Sequence, residues 1–313
     1  MQAIPAGDRA PAPDTVRRVT PERAARRGIA AISVTGVLWA SIGIGVRLLQ
    51  DHAHLGSMAI LFWRLVIGGL VLVVMVDRAG AQDLVQEARR PARLIGVAAG
   101  SIGFQLAYFY AVADAGVAVP TLVTLGLAPV AALAYESIEA RRTPSLRTFA
   151  VMACALTGLA LVSGTSHAGA TIAPNPVRGV VLSVVSGLLY AGSTLASRGL
   201  SSRLSPRALT AGVTVLGVVM LLGPTLATGI AVPFTVPVVA GLVYLGVVTT
   251  AFAYVLFYFG LRTTPGGVAM VLTLLEPATA VLLAALILGE PITLARGVGA
   301  LLVLAAVAAL SLG

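Results

Sequence analysis

Polar residues along this chain come in short bursts, and between them run ten apolar stretches long enough to cross a bilayer. They are Gly28–Leu49, Ser57–Val76, Leu94–Ala113, Val117–Tyr135 and Thr148–Ser166, then Gly179–Ser197, Ala208–Gly229, Val236–Gly260, Gly266–Leu288 and Leu294–Leu312. About 20 residues of α-helix cross a hydrocarbon core of about 30 Å. Backbone in lipid has no water to bond, so it must be helical or close into a barrel. Continuous apolar runs of this length select helices. The pattern predicts an all-α integral membrane protein of ten transmembrane helices. Pro233 and Pro237 push the start of the eighth span late.

Residues 1–27 are rich in Pro, Ala and Arg and contain no apolar core, which predicts a disordered tail. The first span is too long for a signal-peptide core, so no cleavage is expected. Composition supports the same class. At 58% hydrophobic and 11% charged, 313 residues have too few polar side chains to coat a soluble domain. The net charge of +9 would suggest nucleic acid in a soluble protein, but topology accounts for it here. With the N-terminus inside, seventeen of the 21 basic residues, all arginine, fall in cytoplasmic stretches. Arg47, Arg178 and Arg296 fall on the opposite side, and Arg64 lies within a span. This positive-inside bias places both termini in the cytoplasm and the Asp51–Leu55 loop outside, in a multi-pass protein of the cell inner (plasma) membrane. Cys154 is the only cysteine, which excludes an internal disulfide. His52, His54 and His167 all fall in predicted outer loops without clustered carboxylates, so neither a metal nor a cofactor is expected.

The chain also repeats itself. At a shift of 151, Arg27 falls on Arg178, Gly36 on Gly187, Trp39 on Tyr190, Ala40 on Ala191 and Arg47 on Arg198. At a shift of 148, Phe104 falls on Phe252, Tyr110 on Tyr258 and Pro129 on Pro277; one residue later Arg147 meets Arg296. A five-helix unit ends on the side opposite its start, so its copy inserts upside down. The expected fold is therefore two inverted five-helix repeats, with a shared site near the midplane reachable from either face. Pro129 and Pro277 are matched helix breaks that leave the carbonyls of Leu125 and Thr273 without intrahelical donors. Gly96 and Gly100, and the Gly36/Ala40 and Gly187/Ala191 pairs, have the spacing of close helix packing.

Intramembrane charge costs about 2.5–3.5 kcal/mol at a helix centre on insertion scales, so the charges kept there mark function first. Glu276 lies ten residues past Gly266, near the midplane and directly before Pro277. A carboxylate there can exchange a proton, fix a cationic group, or satisfy a neighbouring helix. Arg64, about 10 Å in from the outer start of the second helix, is placed to hold a substrate carboxylate, to pair with Glu276, or to cap freed carbonyls. Trp39 and Tyr190 sit too deep for interfacial anchors and are expected in a cavity wall, with Tyr110 and Tyr258 as a second matched pair. Trp63, Tyr108, Tyr244 and Tyr254 lie nearby. Gln105 and Ser193/Thr194 add polar points at similar depth, a type that more often joins helix to helix. Asp114 and Glu290 near the outer ends, and Glu136 and Glu139 on the inside, are expected to be solvated.

LEPATAVLLAALILGEPITLARGVGALLV resembles the second-repeat signature of EamA-type permeases of the drug/metabolite transporter superfamily, of the amino-acid and metabolite exporter type. FWRLVIGGLVL resembles their second helix, and VYLGVVTTAFAYVLFYFGL their eighth. The likeness covers essentially everything from Gly28 to Gly313 and implies EamA-like repeats over 28–166 and 178–313. One departure is SIEARR in the first repeat, which sets Arg141 opposite Glu290 and displaces Glu136 and Glu139. The resemblance implies secondary transport of small metabolites, amino acids or related compounds, outward and by alternating access. The partners are then a small-molecule substrate and the lipid bilayer, not nucleic acid, and a monomer suffices. Without a Walker A sequence, ATP drive from this chain is not expected. A sugar-phosphate or nucleotide-sugar carrier of the same superfamily would need several intramembrane cations where only Arg64 stands. An intramembrane enzyme would need a nucleophile or metal with a partner base, and no HExxH, in-span histidine or close aspartate pair occurs.

Overall fold

A computed structural model of the chain describes residues 20–164 and 174–311. The elements are α1 (Pro21–Ala53), α2 (Ser57–Met75), α3 (Arg78–Glu87), α4 (Ala92–Ala115), α5 (Ala118–Ala140), α6 (Leu146–Gly164), α7 (Pro176–Ser201) and α8 (Pro206–Thr228). Then follow α9 (Val236–Tyr244), a π-helical segment (Leu245–Phe252), α10 (Ala253–Leu261), α11 (Gly266–Thr273), α12 (Leu275–Leu288) and α13 (Leu294–Ser311). α9, the π segment and α10 make one span, as do α11 and α12, giving ten helices long and apolar enough to cross a membrane. These ten coincide with the ten expected from the sequence. An even number of crossings brings the start of α1 and the end of α13 to one end of the bundle, the near end; the far end carries the loop after α1.

Three local features depart from expectation. Residues 21–27 are the first two turns of α1, so the tail expected over 1–27 is helical from Pro21; residues 1–19, and His167, lie outside the described residues. Pro at the first helical position starts a helix well, because its missing N–H would have had no partner there. α3 is an additional short helix at the near end, capped by Asp77, whose side chain accepts the amide of Gly80 at 2.8 Å. The two matched prolines also behave differently. α5 runs unbroken through Pro129, whereas the ninth span is interrupted at Leu274, whose amide bonds the Val271 carbonyl at 3.1 Å.

Packing is close wherever glycines meet backbone. A Cβ on Gly158 of α6 would lie 2.6 Å from the carbonyl of Gly299 on α13, and one on Gly299 equally close to that of Gly158. Gly36 of α1 faces Leu272 and Leu275 at the interruption, and its counterpart Gly187 of α7 faces Thr124 and Leu127 of α5. Gly100 packs on Ser193, while Gly96 faces open space, so only half of that spacing is used.

Candidate functional site

The site is built where the ninth span breaks. Pro277 has no amide hydrogen, so the Thr273 carbonyl loses its intrahelical donor and the chain turns at Leu274 before α12 begins. The turn sets Glu276, half-buried, at the lining of a cavity of about 400 Å³. Gly36 permits this, since a methyl group there would come within 3.1 Å of Leu275 Cβ and 3.3 Å of the Leu272 carbonyl.

Arg64 enters the same cavity from α2 and is 5% exposed. Its guanidinium donates to Gln105 Oε1 of α4, and the Gln105 amide donates onward to the carbonyl of Ser101 at 2.9 Å. That chain fixes the cation without neutralising it. Arg64 Nε has no hydrogen-bond partner, and among the described residues no ion pair joins Arg64 to Glu276. The Glu276 carboxylate forms no hydrogen bond or ion pair with the described residues either. A guanidinium and a carboxyl group thus face a single cavity without forming an ion pair with each other.

Aromatic rings fill the wall around them. Trp39 is 5% exposed and packs against Tyr254 with centroids 4.9 Å apart and the rings tilted by 53°; Phe104 lies 4.9 Å from Tyr190, which is 6% exposed. The Tyr190 hydroxyl donates to Thr273 Oγ1 at 3.2 Å, fastening α7 to the interruption. Trp39 Nε1 donates to the Thr249 carbonyl at 3.1 Å, inside the π segment. A π turn takes up one extra residue, so everything after it is rotated by roughly 100° relative to an unbroken helix. This rotation brings Tyr254 to face Trp39. The side chains of Thr249 and Thr250 both donate to the Leu245 carbonyl, at 2.7 and 3.0 Å, within the same segment. α2 lies against it where Gly68 and Gly246 meet: a Cβ on Gly246 would be 2.9 Å from the carbonyl of Arg64.

The cavity thus unites Glu276, Arg64, Gln105, Trp39, Tyr190 and Pro277. It does not include the matched tyrosines. Tyr110 is 47% exposed, outside the lining, and Tyr258 is buried in the core behind Tyr254, 6.1 Å from it. Pro129 is buried in an intact α5, away from the lining. Trp63 is also elsewhere, donating to the Ile230 carbonyl at 2.8 Å. Ser193 bonds back into its own helix, to the Tyr190 carbonyl. Phe104, Tyr108, Tyr254 and Thr121 complete the wall, with Tyr108 and Thr121 sharing a hydrogen bond of 2.7 Å. Tyr108, three residues from Gln105, and Tyr254 are among the aromatics expected nearby, whereas Phe104 is not; nothing in the sequence marks the π turn that precedes Tyr254.

From Glu276 the lining continues toward the far end along Ala280 and Ala284 to Glu290 and Arg296, with Val117 and Ala118 opposite. Val117 is 61% exposed, so the cavity reaches the surface there. Three of the carboxylates expected to be solvated are paired instead. Glu290 binds Arg47 at 3.0 Å and Arg296 at 3.7 Å, Asp114 binds Arg178 at 3.0 Å, and Glu136 binds Arg198 at 2.9 Å. Each lies at a helix end where an arginine from another helix arrives, which a single helix's sequence does not show.

A ten-span helical bundle enclosing a charged, aromatic-lined cavity is the architecture of a membrane transporter. The EamA-like transporter family model matches this sequence twice, over residues 26–164 and 177–312, and the chain belongs to that family of the drug/metabolite transporter superfamily. Transport rather than enzymatic chemistry is therefore its activity. Similar proteins include the uncharacterized transporter YwfM of Bacillus subtilis (strain 168), 28% identical over 83% of this chain and 85% of that protein. Others are the inner membrane transporter YicL of Salmonella typhimurium, 25% identical over 92% and 96%, and an uncharacterized transporter of Archaeoglobus fulgidus, 29% identical over 91% and 96%. A solved crystal structure superposes with a TM-score of 0.77 over 91% of this chain and 96% of its own at 19% identity, so the fold is shared.

The aromatic wall can be tested on its own. Tyr190→Ala and Trp39→Ala are each expected to weaken apparent substrate affinity by about 2- to 12-fold, the scale of an aromatic contact of about 0.5–1.5 kcal/mol. Tyr190→Phe, which loses only the bond to Thr273, should retain most of it. Unchanged transport in both alanine variants at normal membrane levels would remove these rings from the substrate path.

Proposed function

We propose that this protein exports small zwitterionic metabolites, amino acids or close relatives, by alternating access between two inverted repeats. The observation that carries this reading is the unpaired Arg64 and Glu276 on one aromatic-lined cavity. A carboxylate on the substrate answers the guanidinium, an ammonium answers Glu276, and an apolar or aromatic side chain meets Trp39, Tyr190, Phe104 and Tyr254. Such a substrate gives each of the two groups a direct ionic partner, which neither has among the described residues. Among the described residues only Arg64 and, at the rim, Arg296 bring positive charge to the lining, which gives little support to a phosphorylated cargo.

The orientation in the membrane follows from charge. The near end carries most of the arginines, so it faces the cytoplasm under the positive-inside rule and the cavity faces outward. In intact cells a Cys154-free variant carrying His54→Cys is expected to react with an impermeant thiol reagent; reaction only after lysis would reverse the orientation. The substrate class is tested by counterflow in proteoliposomes with labelled amino acids, alongside analogues lacking the carboxylate or the amine. Exchange of intact amino acids with neither analogue competing is the expected result. Exchange of a phosphorylated compound, and of no amino acid, would overturn the reading.

A further inference from the structure

We infer that Glu136 is the latch that keeps the near end of the pathway shut, and that its release from α11 opens that end. The latch presupposes alternating access, but its test uses no substrate, so a wrong substrate class would leave it standing.

Glu136 projects from the last turns of α5 and its side chain is 19% exposed. Three donors from two other helices converge on its carboxylate. Oε1 accepts from Arg198 Nη1 of α7 at 2.9 Å and from the Gly266 amide at 2.7 Å, and Oε2 accepts from the Gly267 amide at 3.1 Å. Gly266 and Gly267 open α11, where amides have no partner within the helix and the helix dipole favours an anion. α11 has no capping side chain of its own, because the residue before it is Pro265. Glu136 caps it from a different helix. The two glycines let the carboxylate in: a Cβ on Gly266 would lie 3.2 Å from Oε1, and one on Gly267 3.2 Å from Oε2.

What gives this contact a role beyond capping is what lies at the other end of α11. That helix is eight residues long, and its far terminus is the interruption that sets Glu276 in the cavity. A helix of eight residues is rigid on this scale, so whatever holds its first residues also restrains the floor of the site. Glu136 belongs to the first half of the chain, while Arg198 and α11 belong to the second, so the contact ties the halves together across the path. At the far end the arrangement differs. Arg47, the repeat counterpart of Arg198, pairs with Glu290, but that carboxylate is half-exposed at the cavity rim and bonds to arginines alone. The closed end carries a carboxylate seated on a helix N-terminus; the open end does not.

Ala132 lies one turn above Glu136 on the same face of α5, is fully buried, and packs with Met270 of α11. Ala284 lines the cavity toward the far end. In a Cys154-free background, single cysteines at these two positions report each end through their rate of reaction with an impermeant maleimide, in membranes opened to both faces. Glu136→Gln is expected to raise the rate at Ala132→Cys about tenfold, the scale of one charge-assisted hydrogen bond. The rate at Ala284→Cys should stay level or fall. Arg198→Gln, which leaves the amide contacts in place, should do the same by a smaller factor, and it carries the test if Glu136→Gln does not reach the membrane. Unchanged rates at Ala132→Cys in both variants would overturn the latch. Rates rising together at both positions would also overturn it, since they would show a cap whose loss merely loosens the bundle.

Discussion

Replacing Glu276 by glutamine is expected to raise the KM for a zwitterionic substrate at least about thirtyfold. Removing one partner of a desolvated charge pair typically costs about 2–5 kcal/mol, and about 2 kcal/mol already corresponds to that factor. Glutamine keeps the shape and the hydrogen-bonding reach of the side chain. α12, Pro277 and the turn at Leu274 are therefore left intact, and the variant separates charge from packing. Two measurements decide the role of the carboxylate. If it holds the substrate ammonium, affinity falls in both exchange and gradient-driven accumulation. If it carries a coupling proton, exchange survives, accumulation is lost, and the pH dependence of transport flattens. Wild-type behaviour in both assays would make Glu276 structural and remove the main support for the proposed substrate class.

Arg64→Gln is expected to cause a loss of similar size with the opposite selectivity. The parent cavity should prefer a substrate with a free carboxylate over its amide; Arg64→Gln should erase that preference, and Glu276→Gln should leave it standing. Arg64→Lys keeps the charge but loses the planar fork that reaches Gln105 and the substrate together, so partial activity is expected, below the parent by about tenfold. Because Arg64 is buried and bonded, each variant needs a check for monodisperse protein. A double variant with Glu276→Gln that performs no worse than either single would show that the two charges act through one bound substrate. Equal losses on the free carboxylate and its amide in Arg64→Gln would show that the guanidinium serves only the fold.

The zwitterion reading also accounts for why the two charges are held apart. Gln105 of α4 holds the Arg64 guanidinium and the break at Leu274 sets Glu276 at the start of α12, so each group is fixed by its own element. An ion pair between them would satisfy both groups and leave the substrate to compete with it.

Much of the molecule was legible in the sequence because lipid imposes its costs residue by residue. A charge or an unpaired backbone group in hydrocarbon is expensive wherever it lies, so the ten spans and the rarity of Glu276 and Arg64 could be read locally. The prolines did not delay the eighth span: α9 begins at Val236 with Pro237 in its first turn, where a missing amide costs no bond. The interruption near Pro277 was local too, since proline removes a specific donor. Pro129 shows the limit of that rule: the same residue type leaves α5 continuous, because neighbouring packing decides whether a lost bond becomes a break.

What the sequence could not fix is rotation. In a soluble helix the polar face marks the outside, but here the faces toward lipid and toward neighbours are both apolar, and periodicity carries little signal. Tyr190 and Tyr110 looked equivalent as candidates, yet one meets Thr273 in the cavity and the other is exposed. Tyr254 reaches the cavity only because a π turn rotates α10, and Glu136 leaves solvent only because α11 begins beside it with two glycines. The sequence by itself determined how many helices cross the membrane, where charge is buried and where the ninth span can break, since each is a cost borne by one segment in lipid. The tertiary structure alone decided which side chains share the cavity and which carboxylate meets a helix end, since those depend on how neighbouring helices are turned toward one another.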